Sequence, residues 1–476
     1  MKRRGLAGVL CLMTALAVVA CGKTEQPEAQ SDNGTVVQSE NGETKQEQDS
    51  EAETVKLRYA YWGSTFENEA MQNIARKYEG MHPGVEIECI YIPNADYTTK
   101  MSAMIASGDE PDIANLFASD FVVWAEQGRL VNIDEWMEKD ERYDYEDFIP
   151  NCFFEVQDGE IAGRSIANEL IQLYYNVDLF EELGVDPLPA DPQEALTWDE
   201  FVTVCQKLTV DVNGNNALSP DFDPEKIKTY GIDFQKSSAV WSAFVYQNNA
   251  PVLSEDGSEY KMDDPASVEV IQKLGDLINV YHVAPDPLTS SSTNMSTTSS
   301  LQSKQVAIIC DGTWTNLDLS SIDINYDVAC LPKMSGEPCF SSATSVCSIF
   351  NSCENIDVAW DFYMFLADPD NAIELYSSGL WMPLMIKYYE DEALIASWAD
   401  PETTSHTDGF RKCAVEYTKY PNKLNPETSV IGWTKLDAVI SSALDSVWMG
   451  EKTAQEVLTE IRPSVEELVK GYIKMK

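Results

Sequence analysis

Positive charge and histidine are scarce in this sequence. Lys and Arg number 33 against 79 Asp and Glu, which gives a formal net charge of -46 at pH 7. A field of this sign repels nucleic acid, anionic lipid and anionic ligands, so we expect no nucleic-acid partner and a neutral or cationic ligand. The sequence has three histidines, His82, His282 and His406, and no C-x-x-C pair, which argues against a structural zinc site. We predict neither a metal nor a cofactor.

The motifs of several common enzyme sites are also absent. The chain contains no G-x-S-x-G, no H-E-x-x-H and no phosphate-binding glycine loop. A glycoside hydrolase would need only two carboxylates about 5–10 Å apart across a cleft, and the many acidic residues leave that alternative open. The missing motifs favour a binding protein without catalysis.

Long apolar runs are rare as well, and the one that stands out is at the start. Residues 6–20 are apolar but short for a membrane span, and they follow three basic residues at 2–4. The run ends in small residues before Cys21, which predicts a lipoprotein signal over residues 1–20 with Cys21 as the lipidated residue. An ordinary secretory signal is the alternative. Residues 21–54 are acidic and polar, which is typical of a disordered tether.

Nine cysteines follow the tether, an odd number that cannot all pair within one chain. Most lie in apolar surroundings, such as Cys310 at the end of 306–310, and we expect them to be buried core residues. An exported protein with many free thiols suggests a reducing or anaerobic niche. The nine are Cys89, Cys152, Cys205, Cys310, Cys330, Cys339, Cys347, Cys353 and Cys413.

Hydrophobic periodicity predicts a parallel α/β sheet at the start of the globular part. Residues 57–62 are typical of a buried strand, and residues 85–91 and 111–117 are also strand-like. Helical spacing of apolar residues covers 67–79 and 97–106 between them. Strands that alternate with helices in this order are typical of βαβ units.

The same alternation continues to the C-terminus. Thr197 and Glu200 form a capping box that opens a helix, and a Ser/Thr-rich loop is predicted over 290–300. The remaining predicted strands are 172–176, 228–233 and 306–310, and the remaining helices are 197–208, 265–281, 360–366, 434–448 and 454–470.

A calcium loop is a weaker possibility at residues 211–215. Asp211, Asn213 and Asn215 resemble the start of an EF-hand loop, but Asn216 and Phe222 stand where the pattern needs Gly and Glu. We predict a turn.

Several segments, in their order, resemble a known family. They are "NIARKYEGMHPGVEIE", "KMSAMIASGDEPDI", "WAEQGRLVNIDEW", "LYYNVDLFEELGVD", "TWDEFVTVCQKLT", "QVAIICDGTW" and "MGEKTAQEVLTEI". The chain is similar to the extracellular solute-binding proteins of ABC importers, a family that includes maltodextrin-binding proteins. The resemblance implies an α/β, two-lobed fold of the periplasmic-binding-protein type II, with the ligand in a cleft between lobes joined by hinge segments.

The resemblance also implies lobe boundaries. The first lobe would comprise 55–166 plus 306–368, and the second 167–305 plus 369–476. The chain would leave the first lobe near residues 167–169 and return near 304–306.

Candidate ligand-binding residues lie beyond predicted strand ends or at positions that the resemblance implies. Trp62 follows the first strand, with Ser64 and Thr65 beside it, and an aromatic ring can stack on a sugar face. Trp314 lies just beyond another strand end. The resemblance implies ligand contacts for Phe117, Asp120, Glu169, Trp241, Trp381 and Trp433.

These residues predict a surface lipoprotein that captures an extracellular carbohydrate, an oligosaccharide, and delivers it to ABC permease subunits. It would be a monomer anchored at the outer face of the membrane. The resemblance implies a Gram-positive bacterium, because members of the family are lipid-anchored there. A receptor for polyamines or peptides, a sensory receptor and a surface glycoside hydrolase are the alternatives.

Overall fold

The computed structural model describes residues 54–156, 159–293, 295–334 and 338–476. The predicted signal, Cys21 and residues 21–53 of the tether lie outside these ranges. Among the described residues, no helix combines the length and the apolar character that a membrane span needs.

The strands form two sheets. They are β1 (Val55–Tyr61), β2 (Val85–Tyr91), β3 (Ile113–Leu116), β4 (Phe153–Glu155), β5 (Ile161–Ser165), β6 (Glu169–Asn176), β7 (Val210–Asp211), β8 (Ile227–Phe234), β9 (Val306–Gly312), β10 (Tyr326–Ala329), β11 (Phe340–Ala343), β12 (Val346–Ile349), β13 (Asn422–Leu424) and β14 (Lys474–Met475).

Each sheet forms the centre of one lobe. The first sheet has the order β14-β4-β5-β12-β3-β1-β2, with β1 parallel to both β2 and β3. The second sheet has the order β13-β11-β6-β9-β8-β7, with β8 parallel to β9, and β10 pairs with β6 outside that path. The parallel pairs put several strand carboxyl ends at the same edge, where ligands of α/β sheets bind.

The helices pack on both sheets and on one another. They are α1 (Thr65–Met81), α2 (Tyr97–Ser107), α3 (Ala118–Glu126), α4 (Asp134–Met137), α5 (Val177–Leu183), α6 (Trp198–Leu208), α7 (Ser238–Gln247), α8 (Pro265–Asn279), α9 (Pro287–Thr293), α10 (Thr297–Gln302), α11 (Thr315–Ser320), α12 (Ile356–Ala367), α13 (Ile373–Ser377), α14 (Lys387–Glu390), α15 (Glu392–Ala399), α16 (Asp408–Tyr417), α17 (Pro426–Ser429), α18 (Trp433–Trp448) and α19 (Ala454–Glu466).

Helix ends follow the capping chemistry of the sequence. The capping box predicted at Thr197 and Glu200 is present and opens α6, and Thr453 with Glu456 does the same for α19. Gly108 ends α2 in a left-handed conformation, with φ 73°, which glycine adopts without steric cost. The strands and helices predicted for residues 57–117 are confirmed.

Three predictions for the later chain were wrong. Residues 290–300 are largely helical, because α9 and α10 are capped by serine and aspartate side chains rather than signalled by apolar periodicity. The last helix ends at Glu466 and not near 470. The predicted return to the first lobe at 304–306 also differs, because β9 lies in the second sheet between β6 and β8.

The chain passes between the sheets four times, and two of these passages, at 166–168 and 344–345, lie side by side; we call them the crossing segments. The first joins β5 to β6 and the second joins β11 to β12. They are hydrogen-bonded to each other: the Ile166 N–H donates to the Ser345 carbonyl at 2.9 Å, and the Thr344 hydroxyl donates to the Ala167 carbonyl at 2.8 Å. After β12, the chain adds β13 to the second sheet and then β14 to the first.

The predicted burial of the cysteines is confirmed. Of the nine, eight are buried and Cys89 is half-buried, and all nine are free thiols within the described residues. Residues 211–215 form the predicted turn, because the Asp211 carboxylate accepts the N–H groups of Asn213 and Asn215 and the side-chain amide of Asn215. These bonds, with one from the Asp223 N–H, lower the pKa of Asp211 to about 2.

Candidate functional site

A cavity of about 680 Å³ lies where the carboxyl ends of strands from both sheets meet, and we call it the interlobe cavity. Residues just after β1, β3, β8 and β9 line it, together with both crossing segments. Its size is in the range of small-molecule sites, which are concave and combine apolar walls with a few polar groups.

The first-lobe wall is built around an aromatic pair. The rings of Trp62, which follows β1, and Phe117, which follows β3, are stacked with centroids 4.2 Å apart. Buried Tyr97 supports the pair from α2, its ring centroid 4.8 Å from that of Trp62. Ser64, the N-cap of α1, and Glu67 complete this wall, with the Ser64 N–H donating to the Glu67 carboxylate.

The second-lobe wall carries Trp314 beside Gly312, the last residue of β9. A Cβ at Gly312 would lie 2.2 Å from the Trp314 ring, so the glycine lets the indole lie directly against the strand. Gln235 follows β8 and donates its amide to the Asp311 carboxylate at 2.6 Å. Trp381 also lines the cavity and is 8% exposed, but it shares a small internal pocket with Tyr59 and Arg164 of the first sheet.

The crossing segments contribute Ile166, Thr344 and Ser345 to the cavity, and Glu169 lies one residue beyond the first of them. Thr428 also lines it and donates its hydroxyl to the Thr344 carbonyl at 3.1 Å. A group bound here would therefore contact both lobes and the segments that join them.

Every ionisable side chain that lines the cavity is a carboxyl group. Four carboxylates line it, from Glu67, Glu169, Asp318 and Glu427, and none of its lining residues is Lys, Arg or His. Burial and the nearby Glu67 raise the pKa of Glu169 to about 8. Partial burial also raises the pKa of Glu67 above its ordinary value.

Six of the ten predicted ligand-binding residues come together in this cavity. They are Trp62, Ser64, Phe117, Glu169, Trp314 and Trp381.

The other four lie elsewhere. Thr65 is exposed at the start of α1. Asp120 accepts the Thr98 hydroxyl at 2.7 Å, and Trp241 is fully buried. The first residue of α18, Trp433, is 3% exposed and donates its indole N–H to the Ser238 hydroxyl at 3.1 Å.

Helix geometry accounts for two of these placements. Ala118 and Ala239 line the cavity from the starts of α3 and α7. Asp120 and Trp241 are each two residues further on, about 200° around the helix axis, and therefore face away from the cavity.

Several residues that line the cavity were not predicted from the sequence. Glu67, Gln235, Asp318 and Glu427 all line the cavity, and a position just after a strand could have pointed to Gln235. Asp318 and Glu427 lie in the short helices α11 and α17, and nothing in their local sequence separates them from other surface acids.

A metal centre has no support in the described part of the chain, where no group of three or more His, Cys, Asp or Glu is arranged to hold an ion. The oxygen atoms of Asp211 are occupied by the N–H donors of its own turn.

Comparison with known proteins agrees with this geometry. Residues 63–373 match the family model described as bacterial extracellular solute-binding protein. A curated binding protein of Brucella abortus is 20% identical over 406 residues, which is 84% of this chain and 89% of the relative.

Solved structures show the same fold. An ABC substrate-binding protein of Listeria monocytogenes, solved in complex with cycloalternan, has a TM-score of 0.71 and 20% identity over 87% of this chain and 99% of its own. The sugar-binding protein MalE of Xanthomonas citri has a TM-score of 0.71 and 16% identity, covering 87% and 97%. The predicted two-lobed α/β fold is confirmed. With the family model matched over most of its length, the chain belongs to the bacterial extracellular solute-binding proteins.

Proposed function

We propose that this protein captures an oligosaccharide in the interlobe cavity and delivers it to the permease subunits of an ABC importer. The observation that carries the proposal is the set of aromatic side chains in the cavity: Trp62 and Phe117 after strands of the first sheet, Trp314 after a strand of the second sheet, and Trp381. The C–H faces of sugar rings pack against aromatic rings, while hydroxyl groups need hydrogen-bond partners. Ser64, Thr344 and Ser345 offer such partners.

Solved structures with the same fold support a carbohydrate ligand. The Listeria protein was solved with cycloalternan, and the GacH receptor of Streptomyces glaucescens was solved with acarbose. Because the cavity includes the crossing segments, a ligand could hold the two lobes together, as expected for hinge closure. A monomer suits this movement.

Anchoring is the second part of the proposal. Lipid on Cys21, with residues 21–54 as a tether, would hold the protein at the outer face of the membrane of a Gram-positive bacterium, next to the permease. The protein would have no catalytic role. Mass spectrometry of the purified protein after expression in a lipidating host tests the anchor, and an unmodified Cys21 at the mature terminus would reject it.

A thermal-shift screen tests the ligand class. The purified protein is mixed with α- and β-linked oligosaccharides, peptides and spermidine, and a ligand at a hundred times its Kd adds about 2.7 kcal/mol of stability. We expect one oligosaccharide series to raise Tm, with the glycan recovered intact, and Trp62→Ala to abolish the shift. A response only to peptides or spermidine would reject carbohydrate, and a shortened glycan would indicate the hydrolase.

A further inference from the structure

The carboxylates of the interlobe cavity do not have cations to pair with. Within the described residues, the side chains of Glu169, Asp318 and Glu427 make no hydrogen bond and no ion pair, and no basic residue lines the cavity with them. Elsewhere the described surface pairs many of its acids, for example Asp140 and Asp361 with Arg142.

Asp318 and Glu427 are exposed to solvent, so the energetic cost of an unpaired carboxylate falls on Glu169. Glu169 is largely buried beside Glu67, and burial together with this like charge raises the pKa of Glu169 to about 8. A partly desolvated carboxylate is stabilised by an opposite charge within a few ångströms. Strained or poorly compensated charges of this kind are typical of ligand sites.

The aromatic residues favour the same charge. The faces of Trp62 and Trp314 carry the negative part of the ring quadrupole, to which ammonium groups are attracted. Two independent features, unpaired carboxylates and aromatic faces, thus favour a cation in one cavity.

We propose that the solute is an oligosaccharide with positively charged amino groups on its sugar rings. This inference rests on the proposed function, because the aromatic walls are taken to hold the sugar faces. The proton that Glu169 keeps below pH 8 would leave when an ammonium group takes its place at the junction of the lobes. Asp318 and Glu427 would accept further ammonium groups along the chain of sugars. A neutral sugar of the same length would leave Glu169 protonated, and Asp318 and Glu427 without a counter-charge.

Matched ligands test the charge. Oligosaccharides of one length, α- and β-linked, are prepared in 2-hydroxy, 2-acetamido and 2-amino forms and titrated calorimetrically at pH 6.5, with spermidine as a cation that has no sugar ring. We expect the 2-amino form to bind at least tenfold more tightly than the other two, and this advantage to shrink in 0.5 M salt, where charge pairs are screened.

Variants assign the effect to the cavity. Glu169→Gln and Glu427→Gln should each reduce the preference for the 2-amino form, taken as the ratio of the Kd values of the 2-hydroxy and 2-amino forms, to less than threefold. Glu402→Gln, at an exposed position away from the cavity, is the control and should keep the full preference.

The outcomes are distinguishable. Equal or tighter binding of the neutral forms overturns the inference and leaves the carbohydrate function standing. Binding of spermidine without any oligosaccharide, or binding of no probe at all, overturns both.

Discussion

Two pairs of aromatic residues in this molecule look alike in the sequence and differ in the structure. Trp62 and Phe117 stack with ring centroids 4.2 Å apart and line the interlobe cavity. Trp241 and Trp433 have centroids 6.2 Å apart and are buried in the second lobe, 0% and 3% exposed. The first pair follows strand ends, whereas the second lies on helices that cover a sheet.

The difference separates stability from recognition. A residue inside a packed core contributes through the apolar area it buries, and its loss leaves a cavity. A residue that lines an open cavity contributes little to folding and much to what the cavity can hold. Substitutions in the two pairs should therefore move different measurements.

The largest effect is expected for Trp241→Ala. Removing a fully buried indole should lower the free energy of unfolding by about 3–5 kcal/mol, measured by urea denaturation. Trp241→Phe is the control and should cost much less, because the indole N–H has no hydrogen-bond partner in the described structure and its removal leaves no other group unsatisfied. A loss below 1 kcal/mol for the alanine variant would contradict the placement of Trp241 in the core.

Acid should also weaken the core. His406 is buried, its Nε2 lies 2.8 Å from the Tyr376 carbonyl, and burial lowers its pKa to about 4. The unfolded chain takes up this proton below pH 6.5 and the folded protein only near pH 4, so the free energy of unfolding falls as pH drops between these values, by about 3 kcal/mol.

Urea denaturation at several pH values measures this loss. In His406→Gln the contribution should be absent, whereas His282→Asn, at a half-buried position, should keep it. Equal pH dependence in both variants would show that His406 is not the group responsible.

Glu169 should change the free energy of unfolding with pH in the opposite sense. The pKa of Glu169 is about 8 in the folded protein, so between its ordinary pKa and pH 8 the unfolded chain loses a proton that the folded protein keeps. The free energy of unfolding therefore falls as pH rises through this window, by about 2 kcal/mol for a side chain that retains some exposure. Glu169→Gln should remove this decline and raise Tm at pH 8, while Glu402→Gln should leave it in place.

Trp62→Ala should reverse the pattern of Trp241→Ala. We expect ligand affinity to fall by about 10- to 100-fold, as for an aromatic anchor in a binding site, and the free energy of unfolding to fall by only about 1 kcal/mol, because Trp62 is half-buried. Calorimetric titration and urea denaturation of the same samples give both numbers. Unchanged affinity would remove Trp62 from the site.

The smallest effect is expected for Gly312→Ala. The added methyl group would meet the Trp314 ring at 2.2 Å, and a displaced ring would change the shape of the cavity that Trp314 lines. Affinity should fall about tenfold, or about 1.4 kcal/mol, with little change in Tm. Gly80→Ala is the matched control, since its Cβ would meet nothing within 4 Å and its position in α1 favours alanine.

Local signals account for the part of the fold that the sequence predicted well. Residues 57–117 alternate between strand and helix periods, with Gly108 at a helix end, and every element there was confirmed. The segment 290–300 has no apolar period, so its helices depend on serine caps and on neighbours that periodicity cannot show. The placement of β9 depends on sheet order, which is set by long-range pairing with β6 and β8.

The residues of the site divide in the same way, into those that local sequence predicts and those that depend on distant contacts. Trp62 and Trp314 were predicted from their positions after strands, and both line the cavity. Trp241 was inferred from a resemblance, and a two-residue offset on α7 is enough to turn it from the cavity to the core. Asp318 and Glu427 reach the cavity only because distant segments fold together.

The position of β12 has a consequence for how the chain folds. This strand lies in the middle of the first sheet, between β5 and β3, although all of β6 to β11 is synthesised before it. The N-terminal strands cannot close their sheet until most of the chain is available, and contacts this distant in sequence slow folding. The first lobe should therefore stay unfolded for most of the synthesis of the chain, which is the condition in which it can be threaded through a narrow export channel.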